Sequence, residues 1–403
     1  MERVYLFDEA AEICRKHARP LSVEVLPVDQ ARGRLAAEDI IAKVDVPPFR
    51  RAMMDGFAVQ WQDAEQVGTV LDVIGTVAAG DGNTLHVARG QAARIMTGAP
   101  VPEGADSVVR FEWCEEQGAN KVKILRPAKR GESVQPIGED GRSGVVILDK
   151  GTRLGPTEVA VCRTFGVFSV TVTQPPSVTV IVTGSELVAS PLPLKAGQIY
   201  GANDAFLTGS LEMDGAKIQA VHYVADHPEL IEQTIKEAVN DSDYVILTGG
   251  VSAGDFDYVP NVLRKLGGEL ALQKVLMRPG SPFVLTTIGS TTVFALSGNP
   301  AAGFVQFECF VRPTVRASLG YQLPIFPASG KLRHALELKP IKHVRIFRAK
   351  ATVEDGVIWI DTDMAQSSGV VSSFAYANCL VRLDESSLPA GAVVPLKWFK
   401  SLI

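Results

Sequence analysis

Cysteine, histidine and net charge are all scarce in this chain. The five cysteines (Cys14, Cys114, Cys162, Cys309, Cys379) are odd in number and far apart, with no Cys-x-x-Cys pair and no histidine at zinc-ligand spacing. They read as reduced structural thiols, and a cytoplasmic location is expected. The six histidines are dispersed; His222 and His227, five apart across a strand end, read as structural or surface groups. Forty basic residues against 45 acidic ones leave a net charge of −5, so no global positive field advertises nucleic acid or an anionic membrane as partner. Unbroken apolar runs are also lacking. Thr164 to Ser185 and Gly280 to Phe307 are uncharged and long enough to span a bilayer. The first contains Pro175 and Pro176, however, and the second Pro282, Gly289, Gly298 and Pro300. Both read as buried strands with turns. Arg3, Asp8, Glu9 and Glu12 stand where a secretory peptide needs an apolar stretch, so export is not expected. With no Gly-x-Ser-x-Gly elbow and no cysteine flanked like a nucleophile, hydrolysis through a protein nucleophile is unsupported.

What is present is a turn-rich globular composition. Of 403 residues, 46% are hydrophobic and 21% charged, with 36 glycines and 24 prolines. At roughly 100 to 200 residues per domain, that length suits two to four domains. Val4, Leu6, Phe7, Ala10, Ala11, Cys14 and Ala18 repeat with a helical period over residues 3–18. Residues 46–145 switch to short alternating strands between Gly, Pro and Asp turns, and read as an inserted β-rich domain. A short helix near Pro156 and a strand at Val167–Val172 return to the scaffold of the first helix, giving a domain of 1–45 with 146–175.

From 176 to 325 the rhythm becomes strand, loop, helix. Val178–Thr183, Ile218–Val224, Tyr244–Thr248 and Thr292–Leu296 read as strands, and Ala205–Met213, Pro228–Val239 and Tyr258–Leu266 as helices between them. Continuous apolar strands alternating with helices predict a doubly wound, mostly parallel α/β sheet, whose ligands sit beyond the carboxyl ends of the strands. Residues 326–403 return to strands. Between Phe326 and Lys350 seven basic residues meet one acid, Glu337, which makes a strong local cation patch.

At the predicted strand ends, Gly249, Gly250 and Ser252 begin a glycine-rich loop that leads into a helix and could hold a phosphate or oxyanion on backbone amides. It is neither a Walker loop nor a Rossmann fingerprint, and a tight strand-to-helix connection is an equal reading. Glu186, Asp226, Asp255 and Asp257 lie at the same edge and offer hard oxygens suited to Mg²⁺, although Asp226 and Asp257 also stand where each could cap a helix. Lys274 and Arg278 could hold an anion or form a solvated pair.

Taken together, Met53-Met54-Asp55-Gly56-Phe57-Ala58-Val59, Arg94-Ile95-Met96-Thr97-Gly98-Ala99-Pro100, Gly138-Glu139-Asp140, Thr183-Gly184-Ser185-Glu186-Leu187 and Gly249-Gly250-Val251-Ser252 with Asp257-Tyr258 resemble, in order and essentially end to end, the molybdopterin molybdenumtransferase family, the MoeA type that includes the E domain of gephyrin. The resemblance implies an elongated, L-shaped homodimer of multidomain α/β subunits. The pterin-binding α/β domain at 176–325 would be joined by the inserted β-rich domain at 46–145 and a carboxy-terminal β-barrel at 326–403. It implies insertion of molybdate into adenylated molybdopterin with Mg²⁺, release of AMP and formation of molybdenum cofactor. Molybdopterin adenylyltransferase would be the upstream donor, and a molybdoenzyme or cofactor carrier the downstream acceptor. Metal and molybdate roles fall on Glu186, Asp226 and Asp257, with Lys274 and Arg278 holding the anion and Gly249, Gly250, Ser252, Ser281, Gly298 and Asn299 against the substrate. Asp55 and Thr97 would face the crevice of the partner subunit, and Arg348 and Ser368 would reach in from the barrel.

The chain departs from the family pattern at Ser185, where an acid is usual, at Arg278 and Ser281, which replace two lysines, at Ser297, which replaces a proline, and at Ala52 and Gln135. Arginine keeps the charge of lysine with a different geometry, while serine at 281 removes a cation from the implied oxyanion site. A carrier that holds molybdopterin or finished cofactor without turnover, a tungstate-inserting relative, and an enzyme acting on another nucleotide pyrophosphate are the competing readings.

Overall fold

The computed structural model describes residues 3–82, 85–189, 191, 193–251, 258–321 and 323–400. The chain forms two compact units, residues 25–172 and residues 1–24 with 173–403.

In the second of these units a six-stranded sheet runs in the order Lys217–Val224, Ser177–Thr183, Tyr244–Thr248, Thr291–Leu296, Pro282–Ile288, Glu269–Lys274. The first four strands, those expected from the sequence, are parallel. The last two pair antiparallel; Pro282–Ile288 falls in the stretch read as strands with turns, while Glu269–Lys274 and the antiparallel pairing were not read, and Ile288 and Thr291 are joined by the tight turn at Gly289, too short for a crossover helix. Alternation along the strands feeds two cores. Val178, Val180, Tyr244, Ile246 and Phe294 pack on one face with the helix Asn203–Met213, while Ile181, Val245, Leu247 and Val293 pack on the other against the helices Pro228–Asp241 and Val259–Lys265. The amino-terminal helix Phe7–Lys16 adds Phe7, Ala10 and Cys14 to the first core. Gly280 to Phe307, expected as strands with turns, follows that reading through Leu296. It then becomes helical from Pro300 through a π segment, Phe307–Val311, to Leu319.

Beyond residue 326 the strands Val344–Glu354, Val357–Asp361, Ala328–Leu332, Val393–Trp398 and Cys379–Leu383 pair in that order, and the last pairs back to the first, closing a five-stranded barrel. The two-residue strand Met277–Arg278 joins the outside of the Val344 strand in parallel, with Arg278 in register with Arg345. Among the described residues no helix is long and apolar enough to cross a membrane.

The unit of residues 25–172 holds its own six-stranded sheet, from Ser107–Arg110 through Gly56–Val59, Gln91–Ile95, Val70–Val77 and Lys121–Ile124 to Cys114–Glu116. Its two faces carry separate cores, one around Ala58, Ile95 and Val108, the other around Phe57, Leu71 and Val122. The short helix Pro156–Thr164 starts at the predicted proline and packs with Val28, Leu154 and Val172.

A buried charge network ties the long helix to its surroundings. Asp214 receives Arg312 at 2.6 Å and Arg316 at 2.7 Å, while Glu308 pairs with Arg312 at 2.7 Å and with Lys397 of the barrel at 2.9 Å. Burial pushes the Asp214 carboxyl up, but the two guanidinium groups outweigh it and hold it below its ordinary 3.8. Asp214→Asn should therefore cost up to about 3–5 kcal/mol in urea unfolding, because it removes one of the two carboxylates on buried Arg312 and the one that holds the partly exposed Arg316. Because the folded-state value is the lower one, the carboxylate contributes full stability above about pH 4 and loses it as pH falls through the folded value. The variant should lack that part of the acid-denaturation profile.

Candidate functional site

Beyond the carboxyl ends of the four parallel strands lies an open cavity of about 790 Å³. Its floor is made by the turns after Thr183, Val224, Thr248 and Leu296, which bring Gly184, Glu186, Asp226, Gly249, Gly250, Gly298 and Asn299 to one surface. Gly249 is required there on two counts. Its φ is +101°, and a Cβ would stand 2.3 Å from Thr183 Oγ1. The strand ends pack too closely at this point for any side chain.

Asp226 does not cap the helix that follows. The residue at the cap is His227, which makes no side-chain cap bond, and the Asp226 carboxylate instead accepts from the Ser185 N–H at 3.2 Å. Ser185 Oγ accepts in turn from the Asp226 N–H at 3.2 Å. The serine that stands in place of an acid thus links two neighbouring strand ends and leaves Glu186 and Asp226 as the carboxylates of this wall among the described residues. Among the described residues no group of three or more His, Cys, Asp or Glu is gathered closely enough to enclose a metal ion. Ser252, Asp255 and Asp257 lie outside the described residues.

The opposite wall is cationic. Arg278, Pro279, Gly280, Ser281 and Pro282 come from the sheet side, and Arg345, Phe347, Gln366 and Ser368 from the barrel. Arg278 and Arg345 are paired residues of adjacent strands, an arrangement of like charges that costs energy until an anion sits between them. His343 records the same field. Its pKa lies below the ordinary 6.5, first because of partial burial and then because Arg278, Lys274 and Arg345 oppose a further positive charge. Its Nδ1 is buried without a hydrogen-bond partner.

Two expected residues are placed elsewhere. Lys274 is exposed at the end of the edge strand and contributes to the field but does not line the cavity. Arg348 does not line it either. It is 1% exposed, donates to the Ala365 and Ser367 carbonyls at 2.7 and 3.0 Å, and so shapes the turn that carries Gln366 and Ser368. Ser281 lines the cavity, yet its hydroxyl is spent on the Val275 carbonyl at 2.8 Å. In the unit of residues 25–172, the Thr97 N–H and hydroxyl donate to Asp55 at 2.6 and 2.8 Å, and these bonds hold its exposed carboxyl below the ordinary value.

Sequence reasoning missed Arg345, Gln366 and Asn203. The last is buried at the start of its helix, donates to the Gly298 carbonyl at 3.0 Å, and keeps Oδ1 buried and unpartnered at the cavity edge. Its only sequence signal was an Asn-Asp pair opening an apolar helical stretch.

Comparison with known proteins places these features among relatives. The family described as "MoeA N-terminal region (domain I and II)" matches residues 6–166, and the one described as "Probable molybdopterin binding domain" matches 179–317. The molybdopterin molybdenumtransferase of Staphylococcus aureus strain COL is 36% identical over 365 residues, 89% of this chain and 87% of that protein. The Staphylococcus epidermidis protein of the same name, from strain ATCC 12228, is 32% identical over 376 residues, 92% of this chain and 89% of its own. Two solved structures of the molybdopterin biosynthesis MoeA protein from Pyrococcus horikoshii superpose with TM-scores of 0.85 and 0.83. They are 30% and 28% identical and cover 99% and 98% of this chain and 100% of theirs.

The crowding of cations gives a direct check. Arg278→Gln should move the His343 titration, followed by NMR, upward toward 6.5, and an oxyanion bound between the arginines should do the same in the unaltered protein.

Proposed function

This chain belongs to the molybdopterin molybdenumtransferase family, and from that premise we propose that its cavity takes adenylated molybdopterin and molybdate and releases AMP and molybdenum cofactor. One observation carries the reading. A single cavity sets carboxylates Glu186 and Asp226 on one wall and the paired Arg278 and Arg345 on the other, which suits a phosphate–metal contact beside an oxyanion. The glycine floor lets ligand oxygens approach backbone amides.

The donor chemistry fits Mg²⁺, which takes oxygen ligands, commonly one or two carboxylates with substrate phosphates and water completing the shell. Glu186 and Asp226 are those carboxylates here, with Asp257 as the third that the family resemblance implies. Bound there, the ion would neutralise charge developing on the phosphate as AMP departs. The chain's own residues position and screen. Ser185 fixes Asp226, Asn203 holds the Asn299 loop through Gly298, and Arg278 with Arg345 keeps the tetrahedral oxyanion facing the pterin. No protein nucleophile is needed, so catalysis is electrostatic. Ser281 brings no cation, but Arg345 brings one to the same cavity, which favours turnover over the carrier reading.

The site is completed, in this reading, in a cytoplasmic homodimer by Asp55 and Thr97 of the partner subunit. Donor and acceptor are molybdopterin adenylyltransferase upstream and a molybdoenzyme or carrier downstream. Tungstate, equal in charge and size, would serve as an alternative substrate.

The deciding experiment is AMP release from adenylated molybdopterin with Mg²⁺, with and without molybdate. Asp226→Ala should lower the rate on the order of 10²-fold or more, and Arg345→Ala should weaken molybdate dependence while leaving pterin binding largely intact. Tight pterin binding with no AMP released would establish the carrier reading. An equimolar, randomly reassorted mixture of Asp55→Ala and Asp226→Ala protomers should regain roughly a quarter of the wild-type sites, one of the two in each mixed dimer, if the two residues meet across subunits, and none if they serve the same chain.

A further inference from the structure

Two loops line the cavity from different strands, Arg278–Pro282 on its cationic side and Ser297–Pro300 in its floor, and one side chain holds both. Gln306, in the helix that follows the second loop, is wholly buried. Its Nε2 donates to the carbonyls of Gly280 at 2.8 Å and Pro282 at 2.6 Å, while its Oε1 accepts from the Ser297 N–H at 2.8 Å. Both amide hydrogens and the carbonyl are engaged, and turning the carboxamide over would set its oxygen against two carbonyls. Gly280, at φ +90°, passes so close that a Cβ there would lie 2.8 Å from Gln306 Cγ. The bond to Ser297 needs a backbone N–H, which a proline at that position cannot supply. Serine at 297 and glutamine at 306 therefore make sense as a pair.

We propose that Gln306 is a positioning residue that locks both loops into their ligand-binding arrangement before substrate arrives, so that binding energy is not consumed in ordering them. This rests on the cavity being the substrate site described above. A side chain that merely filled the core would need none of these three bonds.

Hydrogen exchange tests the lock without reference to activity. The Ser297 amide of the unaltered protein should exchange on the order of 100-fold or more slower than in an unfolded chain, and Gln306→Met, of similar volume but without the three bonds, should restore fast exchange. Rapid exchange in the wild type, or protection that survives in Gln306→Met, overturns the proposal even if the chain releases no AMP. Where AMP is released, Gln306→Met should raise KM for adenylated molybdopterin by about 10-fold with kcat changed by less than about 3-fold. Ser297→Pro should raise KM in the Gln306 background and add little in the Gln306→Met background. Unchanged KM in the single variants, or strictly additive losses in the double, overturns it. If Gln306→Met does not fold, Ser297→Pro, which removes one bond, carries the same expectations for KM.

Discussion

Glu308 is a carboxylate with no access to water, and the helix that carries it organises the larger unit. Its partners, Arg312 four residues on and Lys397 in the barrel, must both be in place for the charge to be tolerated. Arg312 in turn needs Asp214, at the end of a helix packed on the sheet. One run of ion pairs thus requires the sheet layer, the long helix and the barrel to assemble together. The same helix supplies Phe304, Phe307 and Phe310 to the largest core and begins at Pro300, on the cavity rim. Packing energy and site geometry are therefore carried by one element, and a disturbance of its register reaches both.

The cavity divides its labour by wall. The strand-end wall is built from glycines and carboxylates because strands that end side by side leave room only for backbone, and Gly249 against Thr183 shows how little remains. The other wall takes its charge from Arg278 and Arg345, long side chains carried on adjacent strands. Serine at 185 fits this division: it replaces a charge that would have stood beside Asp226 and uses its own backbone and hydroxyl to hold that residue in place.

Much of this was legible in the sequence. The four parallel strands announce themselves by β-branched runs ending in glycine or aspartate, and most of the cavity residues named from the family pattern do line it. The helix from Pro300 was not legible, because a helix buried on all sides has no polar face and so no amphipathic period. Arg345 and Arg348 illustrate a second limit. Three apart on one strand, they point to opposite faces, so only one can reach the cavity. Which one depends on the parity of the strand against the barrel axis, and the structure gives that place to Arg345 while Arg348 braces a turn from below. Lys274, likewise, is near enough to act through its field but lies exposed on the antiparallel edge strand, which the sequence reading did not pick out as a strand.

The short strand Met277–Arg278, laid alongside the barrel, has a metrological meaning. The spacing of hydrogen-bonded strands, about 4.8 Å, sets the interval between the backbones at Arg278 and Arg345. Exchanging either head leaves that interval untouched, so the two positions can vary in charge and length over a fixed base.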